Sequence, residues 1–480
     1  MEKLPTTIKE CHEVIRLLLG KLEDLSTRFA VLEAENKKLK LEIAELKERL
    51  NNNSSNSSLP PSKDFKNKKK KSKHHASGKK SGGQPGHKGH ARALLPVDQV
   101  DSVENCKLAT ECDCGGKIVP TGDYVRHQVH ELPPLKLNIT EYQLQKGCCE
   151  NCRQKHVASL PTGITWGITG SRLTSFMSDL VTRFGLSRRE QRLFLEEYFN
   201  FRISLGTVFK KQRVVNQAMA MPVSELLPIV KESKCVHSDE TGHNRDGKNH
   251  WMWGFISSTA AYFSIHGSRG KKVLRAMMGD FKHILVSDRY CAYNMFASDK
   301  RQVCWAHLKR DFTKLSEKEN KIIARIGKSL LVCESKLFKI WYEFKAVRIT
   351  RDELLRQTAP IRRQVGELLE QGSYTDPQLR AVRFCKNLLE NFNALWTFLE
   401  VDDIEPTNNL AERSLRPSVI WRKKYFCTRS DYGTEYVARS ASINMTCKLQ
   451  RKSPFKFLCT LLQNHFSGIQ TSAFALIDSG

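Results

Sequence analysis

The 480-residue sequence lacks any apolar run long enough to cross a membrane. A spanning helix needs about 18 or more predominantly apolar residues, and the N-terminus also lacks the apolar block of a secretory signal peptide. These two absences predict a cytoplasmic protein without a membrane partner. Hydrophobic residues nevertheless make up 40% of the chain, which is enough for packed cores and excludes a wholly disordered protein.

Cysteine and acidic residues are also scarce. Fifteen cysteines in 480 residues are too few for a disulfide scaffold, so reduced thiols or metal ligands are expected instead. Asp and Glu number 51 against 78 Lys and Arg, which gives a formal net charge of +27. A positive charge of this size indicates a polyanionic partner, and nucleic acid is the simplest candidate.

An unbroken heptad repeat runs through residues 8–50. Apolar side chains fill almost every a and d position, and pairs such as Glu35 with Lys40 would attract each other across a parallel two-stranded interface. Asn36 at an a position would fix the register of such a dimer. The pattern predicts a dimerising coiled coil, and the alternative is an amphipathic helix that folds back onto its own domain.

A basic tract follows the heptads. Residues 63–92 contain eleven Lys or Arg and one acid, with too few apolar residues to bury a core. The composition predicts a disordered linker that contacts DNA phosphates without reading the base sequence, and the alternative is a solvated spacer. The predicted phosphate contacts are four consecutive lysines, namely Lys68, Lys69, Lys70 and Lys71.

Two cysteine pairs flank a stretch of alternating apolar residues between Val125 and Tyr142, which predicts short strands. Four thiolates around a structural Zn²⁺ would hold so small a unit together as a zinc ribbon, whereas ordinary reduced thiols are the alternative. Because the first pair is one residue short of Cys-x-x-Cys, Cys106, Cys148 or His156 could substitute as a ligand. The predicted zinc ligands are Cys112, Cys114, Cys149 and Cys152.

Residues 171–217 read as three helices, at 173–184, 188–199 and 204–217. The short polar joints between them give a spacing similar to a helix-turn-helix. This pattern predicts a DNA-binding helical region, and plain helical packing is an equally good interpretation.

Two short apolar runs further along the chain each end in an aspartate, Asp239 in the first and Asp288 in the second. If the runs form adjacent parallel strands, both carboxylates lie at one sheet edge, close enough to share hard cations such as Mg²⁺. Taken singly, an aspartate at a strand end is more often a turn or capping residue. A turn is predicted between the first run and the next strand, at residues 244–247.

A third carboxylate belongs to a later helix. Thr407 or Asn408 would cap this helix, Glu412 would lie in its first turns, and Pro417 is expected to end it. Taken alone, Glu412 could be an ordinary ion-pair partner of a nearby arginine. Basic residues interleaved with aromatics follow, as suits a scissile DNA strand: Arg413, Arg416, Arg422, Lys423 and Lys424.

Four motifs, taken in order, resemble the DDE transposases of bacterial insertion sequences, and specifically the family numbered sixty-six. They span residues 237–242, 286–290, 304–312 and 407–413, and both the glycine-rich segment 82–87 and the cysteine module are similar to that family's N-terminal half. The resemblance implies metal-dependent DNA strand cleavage and strand transfer at the ends of an insertion sequence.

The resemblance also implies an RNase-H-like core in which Asp239, Asp288 and Glu412 bind two Mg²⁺ ions, or Mn²⁺. Residues 313–400 would be an insertion before the third acid. His307 matches the third motif and is expected to have a supporting or DNA-contacting role. Other nearby acids are interpreted as decoys, Glu240 because strand alternation turns it to the opposite face; they are Glu240, Asp246, Asp402, Asp403 and Glu405.

The fold class that follows is a multidomain α+β protein. The predicted segments, in order, are a coiled-coil helix (1–50), a basic linker (51–100), a zinc-ribbon-like module (101–165), a helical DNA-binding region (166–230), the first part of the catalytic core (231–312), a helical insertion (313–400), the second part of the core with the catalytic Glu (401–450) and a C-terminal helical tail (451–480).

The expected partners are the terminal inverted repeats of the element, target DNA, a second copy of the chain and accessory proteins of the same element. One alternative is a catalytically inactive, transposase-derived DNA-binding protein or repressor. Another is a two-metal nuclease that cuts DNA without joining it.

Overall fold

The computed structural model describes residues 7–53, 56–57, 86–87, 92–375 and 380–473. The chain divides into two compact units, the first within residues 1–68, 144–191 and 204–480, the second within residues 69–143 and 192–203. Within the described ranges, no helix combines the length and the apolar character that crossing a bilayer requires.

The heptad segment forms one continuous helix, α1 (Ile8–Leu50), with the predicted bounds. Its a and d side chains are exposed, for example Leu25 at 62% and Phe29 at 68%. Among the described residues the apolar stripe is therefore largely uncovered, which does not favour a helix folded back on its own domain. The two-stranded coiled coil stays a prediction.

The cysteine-rich region has little regular structure. A short antiparallel hairpin joins β1 (Lys146–Cys148) to β2 (Lys155–Val157) around the second cysteine pair. The prediction of strands between Val125 and Tyr142 is wrong, because the described residues 101–145 contain none. The alternating apolar side chains there lie exposed, Ile139 at 88%, so no partner strand or core uses the pattern.

Three helices follow: α2 (Ser171–Thr182), α3 (Arg188–Phe199) and α4 (Leu205–Lys231). The side chain of Ser204 caps α4 by accepting a hydrogen bond from Thr207 N. The predicted end of this helix at residue 217 is wrong. Its apolar face continues through buried Leu226 and Val230, so packing keeps the helix intact past Pro222.

A five-stranded mixed sheet forms the centre of the first unit. Its strands are β3 (Cys235–Arg245), β4 (Lys248–Ile256), β5 (Ala261–His266), β6 (Ile284–Ser287) and β7 (Arg301–Val303), and the order across the sheet is β5-β4-β3-β6-β7. β3, β4 and β5 are antiparallel neighbours, whereas β6 pairs parallel with both β3 and β7. The predicted turn after β3 is confirmed, with Asp246 and Gly247 both at positive φ.

Helices cover both faces of this sheet. They are α5 (Lys271–Met278), α6 (Trp305–Ser316), α7 (Lys321–Lys345), α8 (Arg351–Ser373), α9 (Arg380–Glu390), α10 (Thr397–Glu400), α11 (Asn409–Tyr425), α12 (Asp431–Leu449) and α13 (Pro454–Phe466). Adjacent residues of β6 enter different cores. Leu285 packs with residues of α4, α5 and α13, whereas Val286 packs with the helices from α6 to α9.

The helix that carries the third acid is longer than predicted. Pro417 lies inside α11 and does not end it, so that prediction is wrong. Ala411 and Leu415 are buried against Met252 of β4 and Phe263 of β5. This packing keeps the helix continuous although Pro417 has no N–H to donate to the preceding turn. α11 instead ends at Tyr425, followed by Phe426 in the left-handed region.

Candidate active site

Asp239 and Asp288 lie at matching positions on neighbouring parallel strands. In the register of β3 and β6, His237 is opposite Val286, so each aspartate follows two residues later. The sequence predicted that Asp239 ends its strand, and this prediction is wrong. β3 continues to Arg245, and Asp239 pairs with Gly254 of β4. Asp288 does follow the last residue of β6, and Tyr290 N donates a hydrogen bond of 2.9 Å to its Oδ1.

A buried asparagine ties the start of α11 to β3. Asn408 is fully buried; its Nδ2 donates to Ser238 O at 2.8 Å, and its Oδ1 lies 3.1 Å from His237 Nδ1. Its backbone N–H donates to Cys304 Sγ at 3.1 Å. Asn408 occupies the predicted N-cap position but makes no side-chain cap, because its side chain bonds to β3 instead. These bonds hold the start of α11 against β3, the strand that carries Asp239. Glu412 lies one helical turn after Asn408.

The pKa of Asp239 reflects both its burial and the acids around it. Burial raises the pKa of Asp239 well above its ordinary value, and the neighbouring carboxylates of Glu240, Asp288 and Glu412 raise the pKa further. The register of β3 and β6, and the bond from Asn408 to β3, place the segments that carry Asp239, Asp288 and Glu412 next to one another. The region around these three acids is termed the acidic site.

Glu412 also belongs to a tighter cluster of mixed donors. In the part of the chain that the structure describes, the potential metal-ligand atoms of Cys304, His307 and Glu412 all lie within 4.8 Å of one another, a group that does not include Asp239 or Asp288. His307 Nδ1 lies 3.5 Å from Glu412 Oε1. Both atoms are buried and have no hydrogen-bond partner among the described residues.

These observations fit a divalent cation. Carboxylate oxygens are the donors that Mg²⁺ and Mn²⁺ prefer, and the buried Glu412 Oε1 lacks a hydrogen bond that a cation would replace. Burial and then the neighbouring carboxylates raise the pKa of Asp239, and a bound cation would offset both effects by stabilising the ionised carboxylate.

A fourth carboxylate, that of the buried Glu240, has protein partners. Its Oε1 accepts a hydrogen bond from Arg269 Nε and its Oε2 accepts one from the Tyr293 hydroxyl, both at 2.6 Å. Burial and the nearby Asp288 carboxylate raise the pKa of Glu240, which these two hydrogen bonds oppose. The guanidinium of Arg269 also stacks 4.0 Å from the ring centroid of Tyr290. Glu240 therefore anchors the wall of the site.

A cavity of about 280 Å³ opens beside Asp288 and His307. Arg289 and Arg310 line it together with Asp311, whose Oδ2 accepts hydrogen bonds from the Arg289 guanidinium at 3.3 Å. Burial raises the pKa of Asp311, and the arginine opposes that shift. The acidic site thus opens onto a basic wall, a suitable arrangement for a phosphodiester backbone.

The predicted basic residues of α11 lie in different settings. Arg413, Arg416 and Lys423 are exposed. Arg422 is half-buried and donates to Thr241 Oγ1 at 3.3 Å, and Lys424 donates to Gly185 O. The four linker lysines Lys68, Lys69, Lys70 and Lys71 lie outside the described residues.

The acids interpreted as decoys have structural surroundings. Asp246 occupies the turn after β3, Asp402 pairs with Arg351, and Glu405 pairs with Lys345 at 2.7 Å. These settings are those of ordinary turn residues and surface ion pairs.

Each pair of predicted zinc ligands lies within one of the two units. Cys112 and Cys114 lie in the second unit, and a hydrogen bond between them lowers the pKa of Cys112. Cys149 and Cys152 lie in the first unit, and Cys152 lowers the pKa of Cys149 in the same way. Hydrogen bonds that favour a thiolate suit metal binding, but the four-cysteine zinc site stays a prediction.

A family model described as the transposase IS66 family matches residues 170–436, which is more than half of the chain. The chain belongs to the transposase IS66 family. The match contains all three acids, Asp239, Asp288 and Glu412, and the resemblance inferred from the four motifs is therefore confirmed. A second model, of a family of unknown function (DUF6444), matches residues 3–93, which include the heptads and the basic tract of this IS66-family chain.

Curated relatives of the IS66-family chain occur in Sinorhizobium fredii (strain NBRC 101917 / NGR234). The protein named "Uncharacterized protein y4qI" is 25% identical over 51% of this chain and 50% of its own length, and "Uncharacterized protein y4jD" is 24% identical over 46% and 45%. "Uncharacterized protein y4hP" is 22% identical over 74% of this chain and 70% of its own length. The chain thus spans about half the length of the first two relatives.

Sequence reasoning missed three features of the site. The link from Asn408 to Ser238 joins residues far apart in the chain, and capping was the role expected of Asn408. The bonds of Glu240 to Tyr293 and Arg269 were equally invisible in the sequence. The approach of His307 to Glu412 had a partial signal in the sequence, because His307 lies inside one of the four motifs and a supporting role was expected of it.

Proposed function

We propose that this chain is a DDE transposase that cleaves DNA strands at the ends of an insertion sequence and transfers them to target DNA, in a reaction that depends on divalent cations. The observation that carries the proposal is geometric: the register of β3 and β6 places Asp239 and Asp288 at matching positions, and Asn408 ties the start of the helix that carries Glu412 to β3. These acids come from two parallel strands and one helix, as a metal-binding triad requires. Membership of a transposase family supports a role for these acids in DNA cleavage and joining.

The three carboxylates would hold Mg²⁺ or Mn²⁺. When bound, a pair of such ions supplies charge stabilisation to the attacking and leaving oxygens of a displacement at phosphorus. His307 and Glu240 would act on the carboxylates rather than on DNA. His307 contacts Glu412, and Glu240 stays fixed between Arg269 and Tyr293. No side-chain nucleophile is needed for this chemistry.

Other groups would hold and orient the DNA. Arg289 and Arg310 beside Asp288, and exposed Arg413 and Arg416 on α11, would contact the phosphates of the scissile strand. The linker lysines would add affinity that does not depend on base sequence. Asn408 would position Glu412 by fixing the start of α11 to β3.

The mixed five-stranded sheet, with acids at matching positions of neighbouring parallel strands, supports an RNase-H-like core for residues 231–312 and 401–450. The exposed apolar stripe of α1 supports a homodimer that brings two element ends together. Terminal repeats, target DNA and accessory proteins of the same element are the proposed partners. The structural Zn²⁺ rests on cysteine spacing alone.

The test is an assay of the full-length protein on labelled DNA that carries both ends of its own element, with Mg²⁺ or with EDTA. We expect cut ends and joined products with Mg²⁺ and neither with EDTA. Asp239→Asn is expected to abolish cleavage while end binding in a gel-shift assay is retained, because the substitution removes one carboxylate of the acidic site.

Asp246→Asn is the matched control, since it makes the same change in the turn that follows β3, where asparagine tolerates positive φ. Full cleavage by Asp239→Asn would remove this residue from the catalytic site. Cut ends without joining would indicate a nuclease. Binding without either product would favour a transposase-derived DNA-binding protein or repressor.

A further inference from the structure

A second and larger cavity lies on the other side of helix α11 from the acidic site. Its volume is about 690 Å³, and it is bounded by the end of α2, by α11, by α12 and by the loop that leads into α13. Five of the seven α11 residues that line it follow a helical stripe, namely Ser414, Pro417, Ser418, Trp421 and Tyr425. Glu412 lies about 200° around the helix from Ser414, so one helix separates the two sites.

The inner wall of this cavity is aromatic. The rings of Trp421 and Tyr425 lie 5.0 Å apart, centroid to centroid, and Phe184 and Tyr436 line the space around them. The hydroxyl oxygen of Tyr425 is buried and has no hydrogen-bond partner among the described residues. The cavity therefore offers flat apolar surfaces and one polar atom without a partner.

The charge around the cavity has a single sign. Among the described residues that line it, five are basic and none is acidic. Two of the five are paired with acids outside the cavity, Arg183 with Asp179 and Lys424 with Glu190. The other three belong to the end of α12 and the turn before α13, namely Lys448, Arg451 and Lys452.

An aromatic cavity with a basic rim matches an unpaired nucleotide better than duplex DNA. Duplex DNA presents phosphates and groove edges to a protein, and it covers the faces of its bases. An unstacked base instead offers a face of the size and shape of an aromatic side chain, and its flanking phosphates require cations. A volume of about 690 Å³ accommodates a nucleotide-sized ligand.

We propose that this cavity binds unpaired nucleotides of a DNA strand, with the bases stacked on Trp421 and Tyr425 and the phosphates held by the basic turn after α12. The inference deepens the proposed function, on which it rests. Trp421 is nine residues after Glu412, or about 14 Å along the helix axis. A strand cleaved at the acidic face of α11 can therefore have its unpaired end held on the opposite face of the same rigid element.

The experiment measures fluorescence anisotropy of a labelled short oligothymidylate, and of a duplex of equal length, in EDTA so that catalysis plays no part. We expect Trp421→Ala to weaken single-strand binding by about 5- to 150-fold, the range for loss of one stacked base, and to leave duplex affinity within about twofold. Trp421→Phe should retain most of the affinity because it keeps a stacking ring. Tyr342→Ala, an exposed aromatic on α7, is the matched control and should have no effect.

Equal loss of single-strand and duplex affinity, or no loss, would overturn the proposal. If Trp421→Ala fails to fold, photocrosslinking of the wild-type protein to a halogenated oligonucleotide decides the matter. Cross-links at Trp421 or Tyr425 support the cavity, and cross-links confined to other regions exclude it. Failure of Mg²⁺-dependent cleavage would contradict the proposed function without altering these binding results.

Discussion

At the scale of single residues, Asn408 has a position that no other amino acid could fill equally well. Its amide donates to Ser238 O and faces His237 Nδ1 on β3, while its backbone N–H bonds to Cys304 Sγ. One buried side chain thus fixes the distance between the strand of Asp239 and the helix of Glu412. A small error in that distance would be costly if the site holds cations and a phosphate together, as proposed.

Asn408→Ala is therefore expected to reduce both stability and cleavage. Leaving the Ser238 carbonyl and His237 unsatisfied should cost about 2–3 kcal/mol in the free energy of unfolding, measured with urea. Loosening of Glu412 should slow strand cleavage by roughly 10- to 100-fold under conditions where the variant is folded.

Asn409→Ala is the control for this prediction. Asn409 is the next residue, is exposed, and contributes only its backbone carbonyl to the hydrogen bond from Arg413. Unchanged cleavage by Asn408→Ala, or an equal effect of both substitutions, would mean that Asn408 does not position Glu412.

A second prediction concerns the pH dependence of stability, which follows from the burial of His243. Burial lowers the pKa of His243 to about 4, and the nearby His250 and Arg422 also disfavour its charged form. The unfolded chain, with a histidine pKa near 6.5, binds more protons than the folded protein between these two values. This contribution to stability is therefore complete above about pH 6.5 and is lost as the pH falls towards 4.

The size of the effect is on the order of 2–3 kcal/mol for a shift of this extent. His243→Gln, which can retain the bond to Thr428, should flatten the fall in urea midpoint between pH 6.5 and 4. Substitution of the exposed His283 by Gln is the control and should leave the slope unchanged. If His243→Gln leaves the pH dependence of the urea midpoint as it is in the wild type, the loss of stability in acid is due to other groups.

At this scale the sequence predicted the positions of Asp288 and Glu412 in their elements better than the contacts of their neighbours. Asp288 and Glu412 could be proposed from a strand end and a helix start, since those positions have local signals. The partners of Asn408 and Glu240 have none, because each bond joins segments whose proximity depends on the complete sheet.

At the scale of secondary-structure elements, the contact between α6 and α7 is close enough to require a glycine. A Cβ atom at Gly327 of α7 would lie 2.7 Å from the backbone carbonyl carbon of Leu315 in α6. α6 carries His307 and Asp311, so this contact supports one wall of the acidic site. The backbone of α6 cannot move aside without moving those residues.

Gly327→Ala is accordingly expected to lower the free energy of unfolding by about 1–3 kcal/mol, the usual cost of overpacking a core. Gly366→Ala in α8 is the matched control. There the nearest atom to a new Cβ is a ring carbon of Phe392 at 3.6 Å, and the substitution should stabilise the helix by about 0.5–1 kcal/mol. A neutral Gly327→Ala would show that the two helices have room to separate.

The same scale explains where element predictions succeeded and failed. The bounds of α1 and α3 could be predicted because periodicity and flanking polar residues mark both ends. Pro417 misled the prediction of α11, since packing of Ala411 and Leu415 on the sheet outweighs the lost hydrogen bond. The segment from Val125 to Tyr142 alternates like a strand, yet alternation has no effect without a partner strand.

At the scale of the whole molecule, the exposed apolar stripe of α1 has no covering surface among the described residues of one copy of the chain. Its a and d side chains are largely exposed along 43 residues, Leu25 at 62% and Leu32 at 62% among them. An apolar stripe of this length is costly in water unless another surface covers it. We propose a second identical helix as that surface, because the narrow a/d spacing suits a two-stranded coiled coil.

Leu25→Glu combined with Leu32→Glu should therefore convert a dimer into a monomer, because two charges per chain would be forced into the dry seam at neighbouring d positions. Sedimentation equilibrium of the full-length protein measures the change directly. Ala34→Glu adds a charge to the same helix at an outward f position and should leave the dimer intact. A wild-type protein that sediments as a monomer would contradict the coiled coil. A double variant that stays dimeric would instead place the interface elsewhere, and pairing of two element ends would then have to depend on surfaces other than α1.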